Sequence, residues 1–243
     1  MKSIIPGIQA EAIRQEPVEV LKSIGSEVRT SNLVFGKTDA LVVALASLQL
    51  TLLGLLAAWV RKHLVSVQDL RITHILQKKD SRFLHYAALI CSYISSPKIM
   101  MPIQVPVSLF FWKKHLRLAV VVFAANSFLN EIIKLTIKHF VGRPRPNPAL
   151  VRVYKRAGGK SFPSGNVASS VTFWGWLFAL GLLHLKGRAQ KIVLAVPAVI
   201  IILVGPSRVY LGDHWVSDVL GGYLLGGSGL ALALRAYLKL RKP

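Results

Sequence analysis

After Asp39 the chain carries no charged residue until Arg61, a run as long as the ~20 apolar residues that an α-helix needs to cross a bilayer. Trp59 closes that run, where amphipathic rings favour the headgroup level. Further apolar runs cover about 83–112, 118–140, 164–185, 192–206 and 214–238. Backbone groups inside hydrocarbon must find their hydrogen bonds within the protein, so such runs become helices. The expectation is an all-α integral membrane protein, residues 39–243 forming one domain of six transmembrane helices.

Two segments do not read as simple crossings. The run 83–112 is long and contains Ser95-Ser96-Pro97, Pro102 and Pro106; it is counted as one crossing, with the prolines able to kink it or to divide an interfacial piece from a shorter span. Residues 61–82 mix Leu64, Val67, Leu70, Ile72, Ile75 and Leu76 with basic residues, the pattern of an interfacial helix. Before the first span, Val18, Val20, Leu21, Ile24 and Val28 follow Pro17 at broadly helical spacing. Residues 1–38 are therefore expected to form an N-terminal amphipathic helix on the membrane surface. They contain no apolar stretch suited to a cleavable signal peptide, which leaves the first span to target the chain.

Composition agrees with a membrane domain: 53% of residues are hydrophobic and the mean hydropathy is +0.49. The net charge of +21 raises the possibility of nucleic acid. The basic residues cluster at the ends of apolar segments and in a few short motifs, however, so anionic lipid is the expected partner and nucleic acid is not. Cys91 is the single cysteine, which excludes an internal disulfide.

The chemistry concentrates in three stretches: Lys138 to Pro146, Phe162-Pro163-Ser164-Gly165-Asn166, and Ser207 to Asp218. A phosphoryl group spreads negative charge over several oxygens and calls for several fixed cations and N–H donors. Lys138, Arg145 and Arg208 supply cations. Ser164, the expected N-cap, and Gly165 stand where a helix begins, and the free N–H groups of a helix start favour an anion. His214 and Asp218 are four apart and are expected on one face of the first turns of the last helix, with Asp213 as its cap. An aspartate that accepts the proton of one imidazole nitrogen leaves the other nitrogen free to attack phosphorus.

These residues resemble the type 2 phosphatidic acid phosphatases, whose motifs run Lys, six residues, Arg-Pro; then Pro-Ser-Gly-His; then Ser-Arg, five residues, His, three residues, Asp. Lys138 to Pro146 and Ser207 to Asp218 keep that spacing, and Pro163-Ser164-Gly165 keeps the middle motif up to Asn166, which stands in place of histidine. The resemblance implies a lipid phosphate phosphatase acting on a phospholipid or polyprenyl phosphate. His214 would form a phosphohistidine, oriented by Asp218. Lys138, Arg145, Ser164, Gly165 and Arg208 would bind the phosphoryl group, with no metal and no cofactor. Position 166 is where the family carries its general acid. Asn has no proton to give in this pH range, and general acid–base catalysis is worth roughly 10²- to 10⁴-fold, so turnover is expected to be slow. The alternative is a non-catalytic phospholipid-binding membrane protein that retains the cradle.

Two expectations concern the surroundings. Asn126, Asn130, Lys134 and Lys138 recur at four-residue steps along the third span, and this polar stripe should face the bundle interior, with Glu131 able to pair with Lys134. Arg143, Arg152, Lys155, Arg156 and Lys160 flank the motifs in a loop read as solvated or facing headgroups. With six crossings the three motifs meet on one membrane side. The short basic turns at Lys113 and Lys186 put that side outside the cytoplasm under the positive-inside rule.

Overall fold

The computed structural model describes residues 39–79, 81–154 and 158–241. It divides into two compact units, Met1–Val42 and Val43–Pro243. Of the first, only the opening of one helix is described, and the amphipathic helix expected within residues 1–38 lies outside the described residues.

Eight helices run through the described residues: α1 (Asp39–Lys62), α2 (Val67–Lys78), α3 (Arg82–Ile94), α4 (Pro97–Lys113), α5 (Arg117–Val141), α6 (Gly165–His184), α7 (Gly187–Tyr210) and α8 (Val216–Leu240). Five of them, α1, α5, α6, α8 and the Gln190–Tyr210 part of α7, are long and apolar enough to cross a membrane. The expected span 83–112 is two helices instead. Ser95 and Ser96 separate α3 from α4, and the Ser95 hydroxyl donates to the Cys91 carbonyl at 2.7 Å. Pro97 has no N–H to continue the preceding helix, but its fixed φ suits the first turn of a new one. Pro102 and Pro106 are absorbed within α4.

Helix α6 is the centre of the bundle. It packs on α5, α7 and α8, while α3 leans on α7 and α4 on α5. Val167, Val171, Phe173, Trp176 and Leu180 of α6 are all buried. The outer helices reverse the soluble pattern: Leu45 and Leu55 of α1, Phe128 and Leu129 of α5 and Ile202 of α7 are exposed, as expected of faces whose solvent is lipid. Helix α2 is reversed too. Asp69, Thr73 and Gln77, four apart, are buried, whereas Val67, Ile72 and Ile75 point outward. Its polar face docks on α7 and α8, so the helix read as interfacial is also part of the wall around the motifs.

The stripe on α5 faces inward as expected. Asn130 donates to Asn126 and to Thr172 of α6, both at 3.2 Å, and Lys134 pairs with Glu131 at 2.5 Å. On α8, small residues set the distance to α6. A Cβ at Gly222 would stand 2.7 Å from the Ser164 carbonyl oxygen and 2.9 Å from the Val167 Cβ. At Gly227 it would meet only the movable end of Gln49, at 3.2 Å.

Gly222→Ala is therefore expected to destabilise the protein by about 1–3 kcal/mol through overpacking against backbone, with a lower Tm in detergent. Gly227→Ala should leave Tm close to the parent. Equal Tm values for the two variants would refute this account of the α6–α8 contact.

Candidate functional site

The three motifs come together at one end of the bundle because the chain turns sharply after α5. Gly142 closes that helix with φ at 65°, its N–H donating to the Lys138 carbonyl at 3.1 Å; a left-handed residue ends the helix and glycine takes that conformation freely. Residues 143–147 then run as irregular chain, and 158–164 return beside them. Ser161 N–H donates to the Arg143 carbonyl at 2.9 Å. Lys138 reaches across to the Lys160 carbonyl at 2.6 Å, and Arg145 Nε to the Gly158 carbonyl at 2.9 Å.

His214 does not lie in the last helix. Helix α8 begins at Val216 with Trp215 as N-cap, so the residue expected as cap, Asp213, is displaced from that role and pairs with Arg208 at 3.1 Å. The helical start is instead closed by Asp218, whose Oδ2 accepts the Trp215 N–H at 2.8 Å. Side chains at N3 commonly satisfy the exposed donors of a first turn in this way. The same oxygen accepts from the Ser161 hydroxyl and lies 3.4 Å from His214 Nδ1. Arg143 Nη1 donates to the other oxygen, Oδ1, at 2.8 Å.

On the far side of the imidazole, Arg145 Nη1 stands 3.2 Å from His214 Nε2. A guanidinium can only donate, so Nε2 must offer its lone pair and Nδ1 must carry the hydrogen. The tautomer is thereby set from both sides. Burial pushes the His214 pKa down to about 4, helped by Arg145 and Arg208 and opposed by Asp218. At neutral pH the ring is an uncharged base with its unprotonated nitrogen, Nε2, beside the Arg145 guanidinium. Arg145 is also lowered from its usual value, chiefly by burial; an arginine starts so high that it stays charged.

Of the residues expected to bind a phosphoryl group, Arg145 and Arg208 bear directly on His214. Arg145 also donates to the Asp213 carbonyl at 2.8 Å, and His214 N–H donates to the Arg208 carbonyl at 3.3 Å. Arg208 is held by Asp213 and by the Ser92 hydroxyl of α3. Ser164 takes the N-cap position of α6, as expected, with its N–H donating to the Asp218 carbonyl at 2.9 Å. Its side chain does not cap. The Ser164 hydroxyl and Arg208 Nε are both buried with no hydrogen-bond partner among the described residues, the kind of orphan that a bound oxyanion would satisfy. Gly165 opens the helix against the Lys134 side chain, whose Cδ would lie 3.1 Å from an added Cβ. Asn166 follows, half-buried in the first turn.

Three parts of the site were not readable from motif spacing. Ser161, Asp69 and Arg143 all bear on the dyad, and Arg143, grouped in the sequence with the solvated loop residues, is completely buried. It lies in the first motif between Lys138 and Arg145, and spacing alone does not say which arginine turns inward.

Residues 115–242, more than half of the chain, match the model of the PAP2 superfamily. The chain belongs to that superfamily. Phosphatidylglycerophosphatase B of Bacillus subtilis is 31% identical over 141 residues, covering 56% of this chain and 66% of the relative. Lipid A 4'-phosphatase of Bacteroides thetaiotaomicron is 30% identical over 128 residues, covering 49% and 54%. Each alignment thus spans less than two thirds of the relative. Among solved structures, the transmembrane PAP2-type phosphatidylglycerolphosphate phosphatase of Bacillus subtilis superposes with a TM-score of 0.70 at 22% identity, covering 81% of this chain and 97% of that one. Aquifex aeolicus LpxE follows at 0.55 and 22%, covering 72% and 96%. This PAP2 chain therefore shares their fold, while α1 to α4 lie ahead of the residues matched by the family model.

Because the folded pKa of His214 lies below the ~6.5 of an unfolded histidine, the unfolded chain binds a proton that the folded chain refuses between about 6.5 and about 4. Stability should fall as pH drops through that window. An ¹⁵N-histidine titration, with His214 assigned by its loss in His214→Asn, should find the ring neutral at pH 5.5. A midpoint at or above 6.5 would refute the burial argument.

Proposed function

We propose that this PAP2 protein is a multi-pass membrane lipid phosphatase acting on a phosphomonoester or diphosphate lipid through a phosphohistidine. The observation that carries the reading is the fixed tautomer of His214: Nδ1 toward Asp218, Nε2 beside Arg145. In the first step Nε2 forms a bond to phosphorus and the phosphorus–oxygen bond to the lipid breaks, its electron pair leaving on the lipid oxygen. Water then attacks phosphorus, the P–N bond breaks, and inorganic phosphate departs from a neutral imidazole. Lys138, Arg145, Arg208, the Ser164 hydroxyl and the Gly165 N–H stabilise the charge that builds on the phosphoryl oxygens. The names of the two curated relatives, a phosphatidylglycerophosphatase and a lipid A phosphatase, support lipid phosphate as the substrate class.

The proposed topology has six crossings. Helices α3 and α4 together are about 45 Å long at 1.5 Å per residue, more than the ~30 Å hydrocarbon core, and act as one broken span. The site then faces the extracytoplasmic side, opposite the basic turns at Lys113 and Lys186.

Asn166 makes turnover depend on the leaving group. A lipid alkoxide needs a proton as it departs, whereas the phosphate oxygen released from a diphosphate is a far weaker base. The Asn166 protein should therefore hydrolyse a polyprenyl diphosphate better than phosphatidic acid. Asn166→His should raise release from the monoester by roughly 10²- to 10⁴-fold and from the diphosphate by less, and His214→Ala should abolish both. Phosphate release in detergent micelles checks all three. No release from either form on either lipid would favour the alternative, a phospholipid-binding protein that keeps the cradle without turnover.

A further inference from the structure

Behind the dyad lies a second layer of buried charge that the phosphate motifs do not account for. Arg143 is fully buried and all three of its guanidinium nitrogens are engaged. Nε donates to the Leu64 carbonyl at 2.8 Å, Nη1 to Ser217 Oγ at 2.6 Å and to Asp218 Oδ1 at 2.8 Å, and Nη2 to Asp69 Oδ2 at 2.6 Å. The Trp215 ring packs against the guanidinium, 5.6 Å from centroid to Cζ. Asp69 is fixed in turn. It sits in the first turn of α2, bonded to the N-cap Ser66, and accepts the Ser217 N–H at 2.9 Å and the Ser217 hydroxyl at 2.8 Å. One guanidinium thus bridges two buried carboxylates on separate helices, and one of them precedes the residues shared with the family model.

We propose that Arg143, held by Asp69, is a positioning residue that fixes the Asp218 carboxylate so that Oδ2 faces His214 Nδ1. Its effect passes through Asp218 and it touches neither substrate nor the reacting nitrogen. Two physical consequences follow. The planar fork sets the plane of the carboxylate, which a point charge cannot do. Its positive charge also offsets Asp218, which would otherwise draw a proton onto the dyad. The other charged and polar groups facing His214 are Asp218 from α8, Arg145 from the segment after α5, Arg208 from α7 and Ser161 from the return loop. Of these side chains, Asp218 alone bonds to the Arg143 guanidinium.

The proposal rests on the reading of His214 as nucleophile, so its test uses a readout independent of turnover. The full-length protein in detergent micelles, labelled with ¹⁵N-histidine, is compared with Arg143→Gln and Arg143→Lys for the His214 tautomer and titration midpoint. In Arg143→Gln the midpoint should rise from about 4 toward the ordinary ~6.5 and the share of Nδ1–H should fall. In Arg143→Lys, which keeps the charge but not the fork, the midpoint should stay near the parent while the Nδ1–H share still falls. Where release is measurable, kcat should drop about 10- to 100-fold at little-changed KM, the size of effect seen when the groups that orient metal ligands from behind are removed. If Arg143→Gln leaves two buried carboxylates unpaired and does not fold, the tautomer in Arg143→Lys decides. Parent-like tautomer and midpoint in the folded variants would overturn the proposal. Loss of release in His214→Ala tests the phosphatase reading separately, so either can fail while the other stands.

Discussion

The site depends on one carboxylate with both oxygens occupied. Asp218 accepts from Arg143 on Oδ1, and on Oδ2 it meets Ser161, the Trp215 N–H and His214. Its carbonyl also accepts the Ser164 N–H. A buried carboxylate without such partners would be costly, and removing Arg143 would leave its charge uncompensated. Satisfying it gathers the start of α8, the end of α5, the return loop and the N-cap of α6 around one point. The geometry of the proposed phosphoryl site is a by-product of that satisfaction.

The membrane supplies the second constraint. In lipid the burial of apolar surface does not drive helices together, so close backbone approach and internal polar bonds must. Gly222 lets α8 meet the first turn of α6, Asn130, bonded to Asn126, joins α5 to Thr172, and the polar face of α2 docks on α7 and α8. The first two contacts lie along α6, whose first residues belong to the proposed cradle, so bundle packing and the proposed anion site share one element.

Much of this was legible in the residue pattern because length and charge spacing are one-dimensional quantities. The long runs gave α1, α5, α6, α7 and α8 to within a few residues, and the motif spacing gave residues that the fold joins at His214 and Asp218. What failed was local and three-dimensional. His214 and Asp218 at i and i+4 suggested a shared helix, yet the helix starts between them and Asp218 caps it. Arg143 read as a solvated or headgroup-facing loop residue and Asp69 was not singled out, since burial of a charge is decided by a partner 74 residues away. The break at Ser95-Ser96 was among the readings of the proline cluster, but the sequence did not choose it over a kink. Nothing in the spacing distinguishes Ser161 from other loop serines.

The central claim is that His214 takes the phosphoryl group while Asn166 provides no base to hydrolyse it quickly. Acid-stable and base-labile adducts are not what that chemistry leaves; a phosphohistidine is labile to acid and survives base. The direct measurement is an alkaline quench of the protein with a polyprenyl diphosphate radiolabelled in its terminal phosphate, followed by mapping of the label. The account predicts label on the peptide containing His214, rising faster than free phosphate is released, depleted in Asn166→His and absent in His214→Asn. Phosphate release with no protein-bound label, or label retained in His214→Asn, would contradict it.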